Sequence, residues 1–246
     1  MTSPIQKVLS SLSSHHVRCL LIGGQACILY GGAEFSRDAD IAVLTSPENL
    51  QRLEAALKEL QATSIAVPPF NAEYLRRGHA VHFRCAHPDA ANMRVDVIAV
   101  MRGVDSFDEI WSRRATVEVA PGESYDVIAL PDLVRSKKTQ RDKDWPMIRR
   151  LIEANYVANR EHPAPEQIEF WLLESRTPSL LREVAGAHPE LARRMSARRP
   201  FIGSVALMED RDIESALEEE EKRERELDRE YWKPLREELE KLRLAR

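Results

Sequence analysis

The stretch Leu20 to Leu44, LLIGGQACILYGGAEFSRDADIAVL, decides the fold of this chain. The apolar run Cys19 to Ile22 breaks on Gly23-Gly24, and a short helix-compatible piece, Gln25 to Tyr30, breaks on Gly31-Gly32. Asp38-Ala39-Asp40 then runs into Ile41, Val43 and Leu44. Short apolar runs bounded by glycine predict strands buried on both faces. A glycine pair at the end of such a strand lets backbone N–H groups approach a ligand with no Cβ in the way. The helix that follows points its positive end at the same place, so phosphate is the expected ligand there.

With Asp38 to Leu44 as a strand, Asp38 and Asp40 project from one face at its beginning. Two carboxylates that close repel each other and carry raised pKa values unless a cation lies between them. A hard, oxygen-seeking ion, Mg2+ or Mn2+, is the expected cofactor. A plainer alternative has Asp38 capping the preceding turn and Asp40 as a solvated residue at the strand edge.

The glycine pair, a spacer of thirteen residues and Asp-apolar-Asp-apolar resemble the signature of the DNA polymerase beta superfamily of nucleotidyltransferases. Ile22, Gly23, Gly24, Asp38, Ala39, Asp40 and Ile41 carry the resemblance. It implies an α/β (α+β) fold, a mixed sheet flanked by helices. It also implies a third acid on a neighbouring strand, and Asp96 within Arg94-Val95-Asp96-Val97-Ile98-Ala99-Val100 supplies one. A lone Asp in an apolar strand has to be paired or bind a cation to be tolerated. Asp38, Asp40 and Asp96 are therefore the expected catalytic groups and metal ligands. Gly23, Gly24 and Gln25, with Ser36 and Arg37 ahead of the acids, are the expected nucleotide-binding residues.

Around this core the chain reads as a soluble globular protein, 43% apolar and 31% charged. A net charge of −4 argues against a surface that coats nucleic acid, though not against a local basic patch. Cys19, Cys27 and Cys85 have no metal-type spacing and are expected to be reduced thiols in a cytoplasmic protein. No apolar run approaches the length of a membrane span, and no export leader is expected. Ser3-Pro4 and the spacing of Ile5, Val8, Leu9 and Leu12 predict a first helix. Ser46-Pro47 predicts the start of a second, with Leu50, Leu53, Leu57 and Leu60 on one face. Strands are expected at Ser64 to Val67, Ala80 to Cys85, Ala115 to Ala120 and Tyr125 to Ala129. His79, His82, Cys85 and His87 invite zinc, but on a strand His82 faces away from the other three.

A second informative stretch, LPDLVRSKKTQRDKDWPMIRRLIEANY, runs from Leu130 to Tyr156. Lys137, Lys138, Arg141 and Lys143 either form a solvated helix face or, beside the acids, a triphosphate clamp. Arg141-Asp142-Lys143-Asp144 with Ile148 and Leu151 is similar to stand-alone bacterial nucleotidyltransferase-like proteins, including abortive-infection type toxins. Two departures stand out: the lysines lie closer to Arg141 than in that pattern, and Glu34 stands where many relatives carry arginine. The resemblance spans Arg18 to Leu151.

Residues 1–160 are expected to form the nucleotidyltransferase-like domain and 161–246 a helical C-terminal region. Its charged amphipathic end, Asp212 to Arg246, is expected to kink or restart at Pro234, and it either packs on the first domain or joins two copies into a homodimer. The implied activity is transfer of a nucleoside monophosphate from an NTP to an acceptor hydroxyl on a protein, a tRNA or a small molecule. A toxin held in check by an antitoxin partner is one setting for it. The alternative is an inactive fold that binds nucleotide, RNA or protein.

Overall fold

The structure, a computed structural model, describes residues 3–33, 35–120 and 122–245. The chain forms two compact units: Met1–Leu29, Ala33–Ser136 and Tyr231–Arg246 make the first, and Tyr30–Gly32 with Lys137–Glu230 make the second.

The first unit is built on a seven-stranded mixed sheet of β1 (Cys19–Leu21), β2 (Asp38–Val43), β3 (Thr63–Ser64), β4 (Val81–Arg84), β5 (Arg94–Ile98), β6 (Ala115–Ala120) and β7 (Glu123–Val127). Their order across the sheet is β3-β4-β5-β2-β1-β7-β6. β2 lies at the centre, antiparallel to β1 and parallel to β5, while β4 is antiparallel to β5. This unit also holds helices α1 (Pro4–Ser14), α2 (Gly23–Leu29), α3 (Pro47–Glu59), α4 (Ala72–Arg76), α5 (Phe107–Ser112) and α6 (Leu130–Ser136).

Alternation along the central strands separates their chemistry. Ala39, Ile41, Val43, Val81, Val95 and Val97 are fully buried on one face. Asp38, Asp40, His82, Arg94 and Asp96 fall on the other and are half-buried. The expectation of strands buried on both faces therefore holds in β2 from Ile41 to Val43 and fails at its start. Charged side chains there keep access to water, because full desolvation of several carboxylates would cost more than the sheet recovers.

Local chemistry fixes the helices that hold this sheet. Ser3 caps α1 in a reciprocal capping box with Gln6, and the Ser46 hydroxyl accepts the Asn49 N–H at the start of α3. The buried Asn49 side chain then accepts from the Arg18 N–H and donates to the Arg18 and Leu44 carbonyls. One amide thus satisfies backbone groups where β1 begins and β2 ends. β3 is shorter than expected, Thr63–Ser64, and Pro68-Pro69 beyond it lack the N–H groups a ladder needs.

The second unit is helical, with α7 (Asp144–Asn159), α8 (Pro165–Glu174), α9 (Pro178–Ala187), α10 (Pro189–Met195) and residues 210–230 of α11 (Asp210–Leu244). The last three of its shorter helices each begin on proline, whose missing N–H costs nothing at that position. Contrary to the expected restart, α11 continues through Pro234. Proline costs about 3 kcal/mol in a helix interior. Contacts within the first unit hold the turns around it: Leu235 is buried, and Glu238 pairs with Arg77 and His79, each at 2.6 Å. No described helix is long and apolar enough to cross a membrane.

Candidate functional site

The parallel register of β2 and β5 sets Asp38 beside Arg94 and Asp40 beside Asp96. The antiparallel register of β5 and β4 sets His82 beside Asp96. Three neighbouring strands thereby bring five polar side chains onto one face. Asp96, the lone acid of β5, is paired as its surroundings demand. Its Oδ1 accepts from Arg94 Nε at 2.7 Å and lies 2.9 Å from His82 Nδ1. The same ring nitrogen is 3.0 Å from an Arg94 terminal nitrogen, so its tautomer decides whether it donates to Asp96 or accepts from Arg94.

Electrostatics follow from this packing. Burial pushes the Asp96 pKa up, but the hydrogen bonds from His82 and Arg94 together outweigh it and hold the carboxyl below its usual range. Arg94 holds its proton more firmly than a free guanidinium. The hydrogen bond to Asp96 is the chief cause, burial opposes it, and the charges of Asp38 and Asp40 add to it.

The glycine pair meets the acids directly. Gly23 has φ +63°, and a Cβ on it would lie 2.0 Å from Asp40 Oδ2. The Gly24 N–H donates to the same oxygen at 3.3 Å, and a Cβ on Gly24 would lie 2.4 Å from Ser36 Oγ. Both glycines are needed for close approach, one of them also for its backbone conformation. Ser36 Oγ donates to the Asp38 carbonyl and Gln25 Nε2 to the Ser36 carbonyl, both at 3.3 Å, so these residues brace the loop that delivers the acids. Arg37 is exposed. Glu34 lies outside the described residues.

Carboxylate oxygens on adjacent strands, with a glycine cradle against one of them, are a donor set that fits Mg2+ or Mn2+. Among the described residues, however, no three His, Cys, Asp or Glu side chains are grouped so that they could hold a metal ion. Asp96 Oδ1 is turned toward Arg94 and His82.

The basic run belongs to the second unit and lies in the loop before α7 rather than on a helix face. Asp144 is buried there, and its carboxylate takes Arg141 at 2.9 Å, Thr139 at 2.6 Å and Lys137 at 3.7 Å. Lys138 pairs with Glu174 at 2.6 Å, and Lys143 is exposed. A buried carboxylate needs such partners, which accounts for Lys137 and Arg141. A cavity of about 470 Å³ in this unit is lined in part by Trp145, Leu217, Arg176 and Arg225. Those arginines are engaged by Glu220 at 2.9 Å and Asp142 at 2.8 Å.

The histidines and cysteine considered for zinc do not converge. His79 meets Glu238, His82 meets Asp96, and His87 caps the short turn Pro88–Ala90. The three cysteines are free thiols. Sequence reasoning overlooked Arg94 and His82 as site residues. Polar residues alternating with apolar ones at Val81-His82-Phe83-Arg84 and Arg94-Val95-Asp96 were the available signal.

No family model matches this chain, and no curated protein matches its sequence. Fold and site define an α/β protein whose mixed sheet carries three carboxylates, a histidine and an arginine on one polar face beside a glycine turn.

Proposed function

We propose that this protein is a divalent-cation-dependent nucleotidyltransferase, moving a nucleoside monophosphate from an NTP to an acceptor hydroxyl. One observation carries the reading: Asp40 stands beside Asp96 in register, with Asp38 two residues before it and Gly23 closed against the Asp40 carboxylate. Asp38, Asp40 and Asp96 would hold Mg2+ or Mn2+, which supplies charge neutralisation at the α-phosphate and acidifies the acceptor hydroxyl. Glycine at 23 and 24 leaves room for the Asp40 and Ser36 side chains to close against the turn, and Gln25 and Ser36 keep the loop in shape. The acceptor oxygen forms a bond to the α-phosphorus as the bond to the α–β bridging oxygen breaks. Pyrophosphate leaves with that electron pair, and the hydroxyl proton passes to the Asp96 carboxylate. His82 and Arg94 hold the Asp96 side chain in place on the polar face.

A second reading, a fold that binds nucleotide without transferring it, draws on the engagement of Asp96 by Arg94 at 2.7 Å. Calorimetric titration of ATP, GTP, CTP and UTP, with and without Mg2+, tests both against an Asp38→Ala/Asp40→Ala protein. Metal-dependent binding lost in the double variant is expected, together with release of pyrophosphate once an acceptor is supplied. Binding without pyrophosphate release under any acceptor would favour the second reading. No binding of any triphosphate would overturn both.

A further inference from the structure

Arg94 stands among the acids of the polar face. On the polar face it neighbours Asp38 across the strands and Asp96 along its own strand, so two carboxylates flank one guanidinium. Its Nε is 2.7 Å from Asp96 Oδ1, and Asp38, Asp40 and Asp96 all stabilise its charge. Mg2+ needs oxygen lone pairs at about 2.0–2.1 Å in near-octahedral geometry. While the guanidinium N–H is bonded to Asp96 Oδ1, that lone pair is closed to a metal ion and only the remaining lone pairs of the carboxylate are open to one. The two cations also repel each other across the same acids. The Arg94 side chain is 36% exposed against 16% for Asp96, so of the two it has the wider access to water.

We propose that Arg94 is a built-in cation of the acid face, which a divalent ion displaces from Asp96 in order to bind. It neutralises the face in the metal-free protein and sets the threshold concentration at which metal enters. An incoming triphosphate, being anionic, draws the freed guanidinium to itself, which couples nucleotide binding to metal binding. Arg94 is thus a positioning residue acting through Asp96. This inference rests on the reading of Asp38, Asp40 and Asp96 as the divalent-cation site.

The test uses the full chain and Mn2+ alone, counted by the electron paramagnetic resonance of free Mn2+, in wild type, Arg94→Gln, Arg94→Lys and Asp38→Ala/Asp40→Ala. Removing a unit charge next to the site should tighten Mn2+ binding by ~10-fold or more in Arg94→Gln. Arg94→Lys, which keeps the charge, should stay near wild type, and the double variant should lose the site. Wild-type binding with Arg94→Gln equal or weaker, or with Arg94→Lys as tight as Arg94→Gln, overturns the proposal alone. Absence of Mn2+ binding in every protein overturns the metal-site reading and this inference with it. Should Arg94→Gln fail to fold, the wild-type protein still answers through its Arg94 Nε–H resonance, assigned by its loss in Arg94→Lys. That signal should shift as diamagnetic Mg2+ is added, and an unshifted signal at saturating Mg2+ overturns the proposal.

Discussion

Replacing Gly23 with alanine probes the contact on which the site geometry depends. Two costs combine there. The backbone sits at φ +63°, where an L side chain costs about 1–2 kcal/mol relative to glycine. The added Cβ would also lie 2.0 Å from Asp40 Oδ2 and 2.6 Å from Asp40 Cβ. Rotating the carboxylate relieves the first of these contacts and leaves the second, so either β2 or the glycine turn has to shift. Forcing a methyl into packed space costs about 1–3 kcal/mol, and the Gly24 N–H to Asp40 bond is strained with it. The sum is about 2–5 kcal/mol. Gly103→Ala separates the two costs, because Gly103 has φ +73° with nothing within 4 Å of an added Cβ. Urea unfolding followed by circular dichroism should show Gly23→Ala less stable than Gly103→Ala by about 1–3 kcal/mol, at equal slopes. A difference below about 0.5 kcal/mol, within the range of ordinary surface substitutions, would refute the close approach of Asp40 to the glycine turn.

Two further outcomes follow from ion pairs in the first unit. Asp132 is 1% exposed and accepts two bonds from Arg113, at 2.7 and 2.9 Å. Asp132→Ala leaves that guanidinium with Asp105 alone; because Arg113 keeps this partner and is partly exposed, the loss in urea unfolding should be about 2 kcal/mol rather than the 3–5 kcal/mol typical of fully buried pairs. No change in the midpoint would remove this pair from the account. Glu59 has its pKa lowered from 4.5 to about 2, first by the hydrogen bond from Lys7, then by Ser11, with His15 contributing, while burial opposes. A depressed carboxylate pKa gives stability that is complete above pH 4.5 and lost as pH falls toward 2. Melting temperatures measured across that window should fall more steeply for wild type than for Glu59→Gln, and parallel curves would refute the assignment.

The first unit's core was legible because its signals are local. Asp38-Ala39-Asp40-Ile41 and Arg94-Val95-Asp96-Val97 read as strands with the acids on one face, although burial on both faces fails where β2 begins, and Ser46-Pro47 announces a helix start. α1, α3, β2 and β5 follow those signals to within a few residues. The C-terminal helix was legible in its charge periodicity, but its passage through Pro234 was not, since propensity there is overridden by the burial of Leu235 and the pairing of Glu238. The basic run shows the same limit. Lys137 and Arg141 read as phosphate ligands in sequence, while the fold gives them a buried carboxylate, Asp144, to neutralise.

The mixed α/β sheet was an expectation of the resemblance; by itself the sequence determined that Asp38 and Asp40 share a face and that glycines precede them. These depend on backbone sterics and on a two-residue period, both of which act within a few positions of the chain. Only the tertiary structure decided that Asp40 stands beside Asp96, that His82 and Arg94 hold that acid, and that Gly23 closes against Asp40. Strand order and register are set by burying the apolar faces of distant segments together, so which charges become neighbours is a consequence of the whole core.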